Sequence, residues 1–115
     1  MAAIRTAIVT LPPLIRDLIV GTMASRRKLE VIAWIDTREG MEERLRMTAP
    51  ELVLLGLKHM ESDEIGLELA QAVPRARIIA FSSGGRNAFV YRAHARRDSL
   101  IDFSTEMLID AIRDI

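Results

Sequence analysis

The sequence predicts one α/β domain over residues 1–115, built as a doubly wound, five-stranded parallel sheet with helices on both faces. The run Glu51 to Leu57 is apolar at almost every position, which is typical of a strand buried on both faces in the middle of a parallel sheet. Strand-like and helix-like segments alternate strictly along the chain, and right-handed crossovers then place helices on both faces. The 115 residues, 50% hydrophobic, suffice for one core.

The first half of the chain begins with an apolar strand at 4–9. Pro13 suits the first turn of a helix that extends to Ser25, since large aliphatic residues then recur at helical spacing. A second strand at 29–35 is rich in β-branched residues, and Trp34 in it is interpreted as core. Asp36 to Glu39 resembles a capping box and predicts a short, charged helix over 39–47.

The second half continues the alternation. After the central strand, residues 58–62 form a loop, and Ser62 caps a helix that Pro74 ends. The remaining predicted elements are a strand at 76–81, a glycine-rich turn at 82–87, a helix at 88–95, a fifth strand at 100–103 and a last helix at 104–115.

Composition excludes several classes of protein. No apolar run approaches the ~20 residues that span a bilayer, so no membrane association is expected. The lack of cysteine removes disulfides and thiolate chemistry, which fits a reducing compartment, and a cytoplasmic location is expected. We expect no direct nucleic-acid binding.

Residues that could carry chemistry are few. His59 and His94 lack neighbouring ligands at metal-binding spacing, so neither a metal nor another cofactor is expected. Two readings stay open for the turn before the predicted helix at 88–95. Its backbone could cradle an anion at the strand ends, or it could be a simple turn. The residues of this candidate anion or ligand crevice are Thr10, Gly56, Ser82, Ser83, Gly84 and Gly85.

Four stretches resemble a response-regulator receiver domain, which has a flavodoxin-like fold. They are 49–57, 66–70, 76–82 and 106–113. The resemblance spans nearly the whole chain and is closest to receivers that precede helix-turn-helix output domains.

The resemblance also implies positions for a phosphorylation site, and most of them have lost their chemistry. Gly56 stands where the resemblance implies the phospho-acceptor aspartate, and Thr10 and Leu11 stand where it implies acidic magnesium ligands. Ile101 replaces the expected lysine, while Ser82 keeps the expected hydroxyl. Without a nucleophile or metal ligands, no aspartyl-phosphate can form by the usual route.

These positions predict a degenerate pseudo-receiver that is not an enzyme and acts by binding a protein partner, for example a signalling or transcription component. Two alternatives stay open. One is a small-ligand or anion binder at the strand-end crevice, and the other is an inert dimerisation domain from a longer transcriptional regulator.

The charges near the end of the chain suggest how it could self-associate. Residues 69–97 hold six arginines and no acid, whereas 98–115 hold five acids and one base. A homodimer could set the arginines of one copy against the acids of the other, in an isologous interface. The alternative is that these charges pair within one chain or face water. The predicted interface comprises Arg92, Arg96, Arg97, Glu106, Asp110 and Asp114.

Overall fold

The computed structural model of the protein describes residues 3–23, 29–62, 64–83, 87–91 and 97–101, the last of these by its backbone. The described strands, β1 to β6, are Ile4–Val9, Leu29–Ile35, Leu52–Gly56, Arg77–Phe81, Asn87–Tyr91 and Arg97–Ile101. The described helices, α1 to α3, are Pro13–Met23, Met41–Thr48 and Glu64–Ala72. Up to β4, each element lies within a few residues of its predicted position.

The strands form one sheet with the order β2-β1-β3-β4-β5-β6. Strands β2, β1, β3 and β4 are mutually parallel, whereas β5 pairs antiparallel with β4 and β6 pairs antiparallel with β5. The predicted five-stranded, all-parallel, flavodoxin-like sheet is therefore wrong. The described part of the chain forms a mixed sheet of six strands.

The error lies at residues 88–95, for which the sequence analysis predicted a helix. The described residues there, 88–91, belong to β5, and β5 follows β4 closely enough to fold back beside it. Its sequence, Asn-Ala-Phe-Val-Tyr, alternates between two apolar faces and is rich in aromatic and β-branched residues, which favour strands. Both faces are used, because Ala88 and Val90 join one core cluster and Tyr91 joins the other.

The core has two parts, one on each face of the sheet. On one face α2 and α3 place Met41, Leu45 and Leu69 against alternate residues of β1, β3 and β4. On the other face α1 contributes Ile15 and Ile19. Strand β3 lies between β1 and β4, and all its residues are buried, as the apolar run predicted. In the described part of the chain, no helix is both long enough and apolar enough to cross a membrane.

Strand β2 lies at one edge of the sheet and contains a bulge. Val31 pairs with Thr6, and Ala33 pairs with the next residue, Ala7, so Ile32 has no partner position on β1. The extra residue reverses which face later side chains occupy, and it places Ile35 in the core and Trp34 on the α1 side. Trp34 is 47% exposed, so its interpretation as core is wrong.

The start of α2 also differs from the prediction. Gly40 stands at the N-cap with a left-handed φ of 71° and makes no side-chain cap hydrogen bond, so the expected capping box does not form. The Thr37 hydroxyl instead accepts a hydrogen bond from the Glu39 amide at 3.2 Å, which is a local turn contact. Residues 36–40 thus form a turn between β2 and α2 and do not extend the helix.

Helix α3 approaches β5 so closely that only glycine fits at residue 66. A Cβ atom on Gly66 would lie 2.3 Å from Cε2 of Tyr91, whose side chain is buried. We expect Gly66→Ala to lower the free energy of unfolding by ~1–3 kcal/mol through overpacking. Urea denaturation of the two proteins measures this difference.

Gly21 in α1 provides the matched control, because a Cβ atom there meets nothing within 4 Å. Gly21→Ala should leave the free energy of unfolding unchanged or raise it by ~0.5–1 kcal/mol, as expected for an exposed helical glycine. Equal effects of the two substitutions would contradict the close contact between α3 and β5.

Candidate functional site

The carboxyl edge of the sheet is where an open α/β protein normally binds ligands. From β1 the chain crosses to β2 on one side, and it later returns to β3 on the other side, so the topological switch point lies between β1 and β3. Thr10 follows β1 and Gly56 ends β3 at this point. The sequence analysis predicted that these two residues share a crevice, and the structure brings them together.

Thr10 and Gly56 are in direct contact. The Thr10 hydroxyl donates a hydrogen bond of 2.8 Å to the Gly56 carbonyl. Thr10 adopts a left-handed φ of 47°, and its amide donates to the Ile35 carbonyl at 2.7 Å, so the chain turns sharply as it leaves β1. A Cβ atom on Gly56 would lie 2.4 Å from the Thr10 carbonyl oxygen. Residue 56 can therefore carry no side chain while the backbone keeps this position.

An ion pair between Arg38 and Glu61 lies beside this contact. Arg38 lies in the turn after β2, and Glu61 lies in the loop after β3. The guanidinium donates from Nε to Oε2 at 2.9 Å and from Nη2 to Oε1 at 2.6 Å. This bidentate arrangement is the strong form of an arginine–carboxylate pair. Both side chains are only about one-fifth exposed.

The same guanidinium also holds the ends of β1 and β3. Its Nη1 donates to the Thr10 hydroxyl at 2.6 Å, and its Nη2 donates to the Gly56 carbonyl at 2.9 Å. The Gly56 carbonyl thus accepts from both Thr10 and Arg38. Arg38 comes from the chain that follows β2, so this one side chain connects the carboxyl ends of β1, β2 and β3.

Glu61 receives a further donor from its own loop. The Lys58 amide donates to Oε1 at 2.9 Å, and the Glu61 amide donates back to the Lys58 carbonyl at 3.0 Å. Between them, Met60 is 89% exposed and has a left-handed φ of 65°. The hydrogen bond from Arg38, more than any other cause, lowers the pKa of Glu61, and the Lys58 amide adds to this, whereas burial opposes it.

Other predicted site residues make different contacts in the structure. The Ser82 hydroxyl accepts a hydrogen bond from the Asn87 amide at 3.1 Å, and the Ser82 amide donates to the Asn87 carbonyl at 2.9 Å. Ser82 therefore closes the connection between β4 and β5. Leu11 is buried in the core on the α1 side. Ser83 is exposed, and Gly84 and Gly85 lie outside the described residues.

Ile101 ends β6, on the same edge of the sheet as Phe81 at the end of β4. The resemblance implied a strand directly beside β4, but β5 lies between β4 and β6. Two strand spacings separate β4 from β6, about 10 Å. The Ile101 backbone is thus more distant from Gly56 than a receiver-like site requires.

The predicted homodimer interface is outside the described residues, apart from the backbone of Arg97, which pairs with Tyr91 across β5 and β6. Arg92, Arg96, Glu106, Asp110 and Asp114 lie outside them. The helix expected to carry the arginines is not formed over its described residues, 88–91. The interface itself stays a prediction.

The sequence analysis missed Arg38 and Glu61. It treated Arg38 as part of a helix cap and Glu61 as an ordinary loop residue. The sequence nevertheless contained a signal. Arg38 follows β2 and Glu61 follows β3, and these two strands lie on either side of β1. Charges in the loops after neighbouring parallel strands meet at one edge, and that rule could have paired them.

A second concave feature lies at the amino edge of the sheet. It has a volume of about 440 Å³, and its lining includes Arg5, Arg46, Arg75 and Glu51. Arg5 donates to two carbonyls at the end of α2, those of Thr48 and Ala49, at 2.9 and 3.1 Å. A cation at a helix C-terminus offsets the negative end of the helix dipole. We therefore interpret Arg5 as structural.

Among the described residues, no group of three or more histidine, aspartate or glutamate side chains is placed to hold a metal ion. The cluster of Arg38, Glu61, Thr10 and Gly56 instead presents one guanidinium, one carboxylate, one hydroxyl and backbone groups. Such a set can bind and position an anion, or it can hold three loops together. It contains no nucleophile with an adjacent base.

Removing the Arg38 side chain should destabilise the protein more than removing an exposed arginine. Arg38→Met leaves the Glu61 carboxylate partly buried without its cation and deprives Thr10 and Gly56 of a donor. We expect a loss of ~1–3 kcal/mol in the free energy of unfolding, since hydrogen bonds to charged groups contribute about that much. Urea denaturation near neutral pH measures it.

Arg46→Met is the matched control. Arg46 pairs with Glu42 at 3.4 Å on the exposed surface of α2, and both side chains are about half exposed. Its loss should change the free energy of unfolding by ~0.5 kcal/mol or less. If the two substitutions cost the same, the ion pair at the carboxyl edge contributes no more than a surface pair.

The lowered pKa of Glu61 makes its contribution to stability depend on pH. The ionised carboxylate favours the folded state, so this contribution is complete above the pKa of Glu61 in the unfolded chain. It is lost as the pH falls through the lower pKa of the folded state. The difference in unfolding free energy between the native protein and Glu61→Gln should therefore shrink in acid. Urea denaturation across the acid range tests this, and a difference independent of pH would contradict it.

Comparison with protein-family models, with curated proteins and with solved structures finds no match. The receiver resemblance accordingly stays a hypothesis drawn from the residues of this chain. What the chain can do has to be argued from the geometry of its carboxyl edge.

Proposed function

We propose that this protein is a non-enzymatic regulatory module that acts through protein–protein contacts and does not depend on phosphorylation. The proposal treats the chain as a degenerate pseudo-receiver. It rests above all on the contacts that the chain's own Arg38 makes at the topological switch point, where its guanidinium binds Glu61, Thr10 and Gly56. Because side chains of the chain itself occupy the usual ligand position of such a sheet in the free protein, we look to its surface for the function.

The position of Gly56 supports the same proposal. The receiver resemblance requires a phospho-acceptor there, and the backbone of Thr10 lies too close for any side chain at residue 56. The positions expected to supply metal ligands are equally unsuited. Thr10 bonds to Gly56 and Arg38, and Leu11 is buried in the core.

The nature of the partner follows from the hypothesis of a signalling role. We infer a protein partner, with no requirement for a cofactor, and a cytoplasmic location in keeping with the cysteine-free sequence. A homodimer belongs to the same proposal, and its interface comprises Arg92, Arg96, Arg97, Glu106, Asp110 and Asp114. Its test is the mass of the protein in solution by light scattering at low salt.

Exposure to a phosphodonor tests the proposed function directly. Incubation of the full chain with acetyl phosphate and magnesium should add no phosphoryl group, as measured by intact-mass spectrometry under denaturing conditions. Gly56→Asp should add none either, because a carboxylate at residue 56 displaces the Thr10 backbone and the expected metal-ligand positions stay non-acidic. A receiver domain with an intact acceptor aspartate serves as the positive control.

A stoichiometric mass increase in the native protein would overturn phosphorylation independence. The interaction itself is tested by affinity capture from cells of the source organism, with and without phosphodonor treatment. We expect the same partner under both conditions. Capture that requires the phosphodonor would contradict the proposal even if no adduct were detected.

A further inference from the structure

The carboxylate of Glu61 sits in a set of donors that would suit a free anion equally well. Three N–H groups point at its two oxygens, namely Arg38 Nε, Arg38 Nη2 and the Lys58 amide. We propose that these donors form an oxyanion-binding site, which Glu61 occupies in the free protein and which a carboxylate or phosphate group enters by displacing it. This inference goes beyond the proposed function.

Arg38 is held in place by contacts that do not involve Glu61. Its Nη1 donates to the Thr10 hydroxyl, and its Nη2 also donates to the Gly56 carbonyl. These bonds keep the plane of the guanidinium fixed when the carboxylate leaves, so its Nε and Nη2 stay directed at the same point. A preorganised fork of this kind loses little conformational entropy when an anion binds.

Glu61 is placed where it can leave. It belongs to the loop after β3 and is about one-fifth exposed, so its carboxylate already borders solvent. The neighbouring Met60 has a left-handed φ of 65°, an unfavourable conformation for a residue other than glycine or asparagine. Rotation of the Glu61 side chain into water exchanges a partly buried carboxylate for a fully hydrated one. The Lys58 amide stays behind as a donor.

The chemistry of the donors defines the ligand. Two parallel N–H groups of one guanidinium match two oxygens on one carbon or one phosphorus atom, which describes a carboxylate or a phosphate group. Two parallel bonds to two separate oxygens favour these groups over a single-atom anion such as chloride. No metal ion takes part in this binding, and no covalent bond forms.

Glu61 competes with the ligand for the same donors, so its removal should strengthen binding. We expect inorganic phosphate to shift the amide NMR signals of Lys58 and Gly56 of the native protein saturably at millimolar concentration, without magnesium. The amide of Glu61→Gln offers Arg38 only one acceptor oxygen and competes less well. In this variant the dissociation constant for phosphate should fall at least tenfold, which corresponds to ~1.4 kcal/mol. Titration with acetate in parallel shows whether the site prefers carboxylate or phosphate, and sodium chloride at matched ionic strength controls for screening.

Two variants show whether the shifts arise at this site. Arg38→Gln should abolish them, whereas Arg46→Gln, which removes an exposed arginine elsewhere, should leave them unchanged. If Glu61→Gln does not fold, Glu61→Asp, which shortens the competing side chain, takes its place with the same expected direction.

Three results would overturn the proposal. The first is that neither phosphate nor acetate shifts the amide signals saturably in the native protein or in the Glu61 variants. The second is that the affinity is the same with and without the Glu61 carboxylate. The third is that the shifts persist in Arg38→Gln. The test is independent of the proposed function, since a covalent phosphoryl adduct is measured by mass and reversible anion binding is measured without a phosphodonor. Either can fail while the other holds.

Discussion

The guanidinium of Arg38 connects the carboxyl ends of three strands, and the arrangement of the carboxyl edge depends on it. It donates to Thr10 after β1, to Gly56 at the end of β3 and to Glu61 in the next loop, while Arg38 itself follows β2. A planar cation with five N–H groups can satisfy acceptors in several directions at once, and lysine cannot reproduce that geometry. The short loops at this edge therefore behave as one unit.

The sequence predicted those elements in which local pattern and burial agree. Strand β3 was recognisable because Leu52 to Leu55 are apolar without interruption, and a strand buried on both faces needs no polar alternation. Residues 88–91 were misread as the start of a helix because a short apolar run after a turn fits a helix or a strand equally well. The choice is made by tertiary contacts, including the packing of Tyr91 against Gly66, which no local pattern reveals.

The candidate site was predictable in its location and not in its contents. The predicted strand order placed Thr10 and Gly56 at the same edge of the sheet, whereas the hydrogen bond between them was not predicted. The pairing of Arg38 with Glu61 depends on two loops and on side-chain reach across 23 residues of sequence. Local propensity carries no information about such a contact. Ser82 lies after β4, where it was predicted, but its hydroxyl already accepts a hydrogen bond from the Asn87 amide.

The bulge at Ile32 determines more than the twist of an edge strand. A strand presents its side chains to alternate faces, so the number of residues between two core positions has a fixed parity. Leu29 and Val31 pack on the α1 side and Ala33 and Ile35 pack on the other side, although all four are odd-numbered. The extra residue determines which positions of β2 face each of the two cores. The number of residues in β2 is therefore fixed. The turn that carries Arg38 starts after Ile35, so its position depends on that number as well.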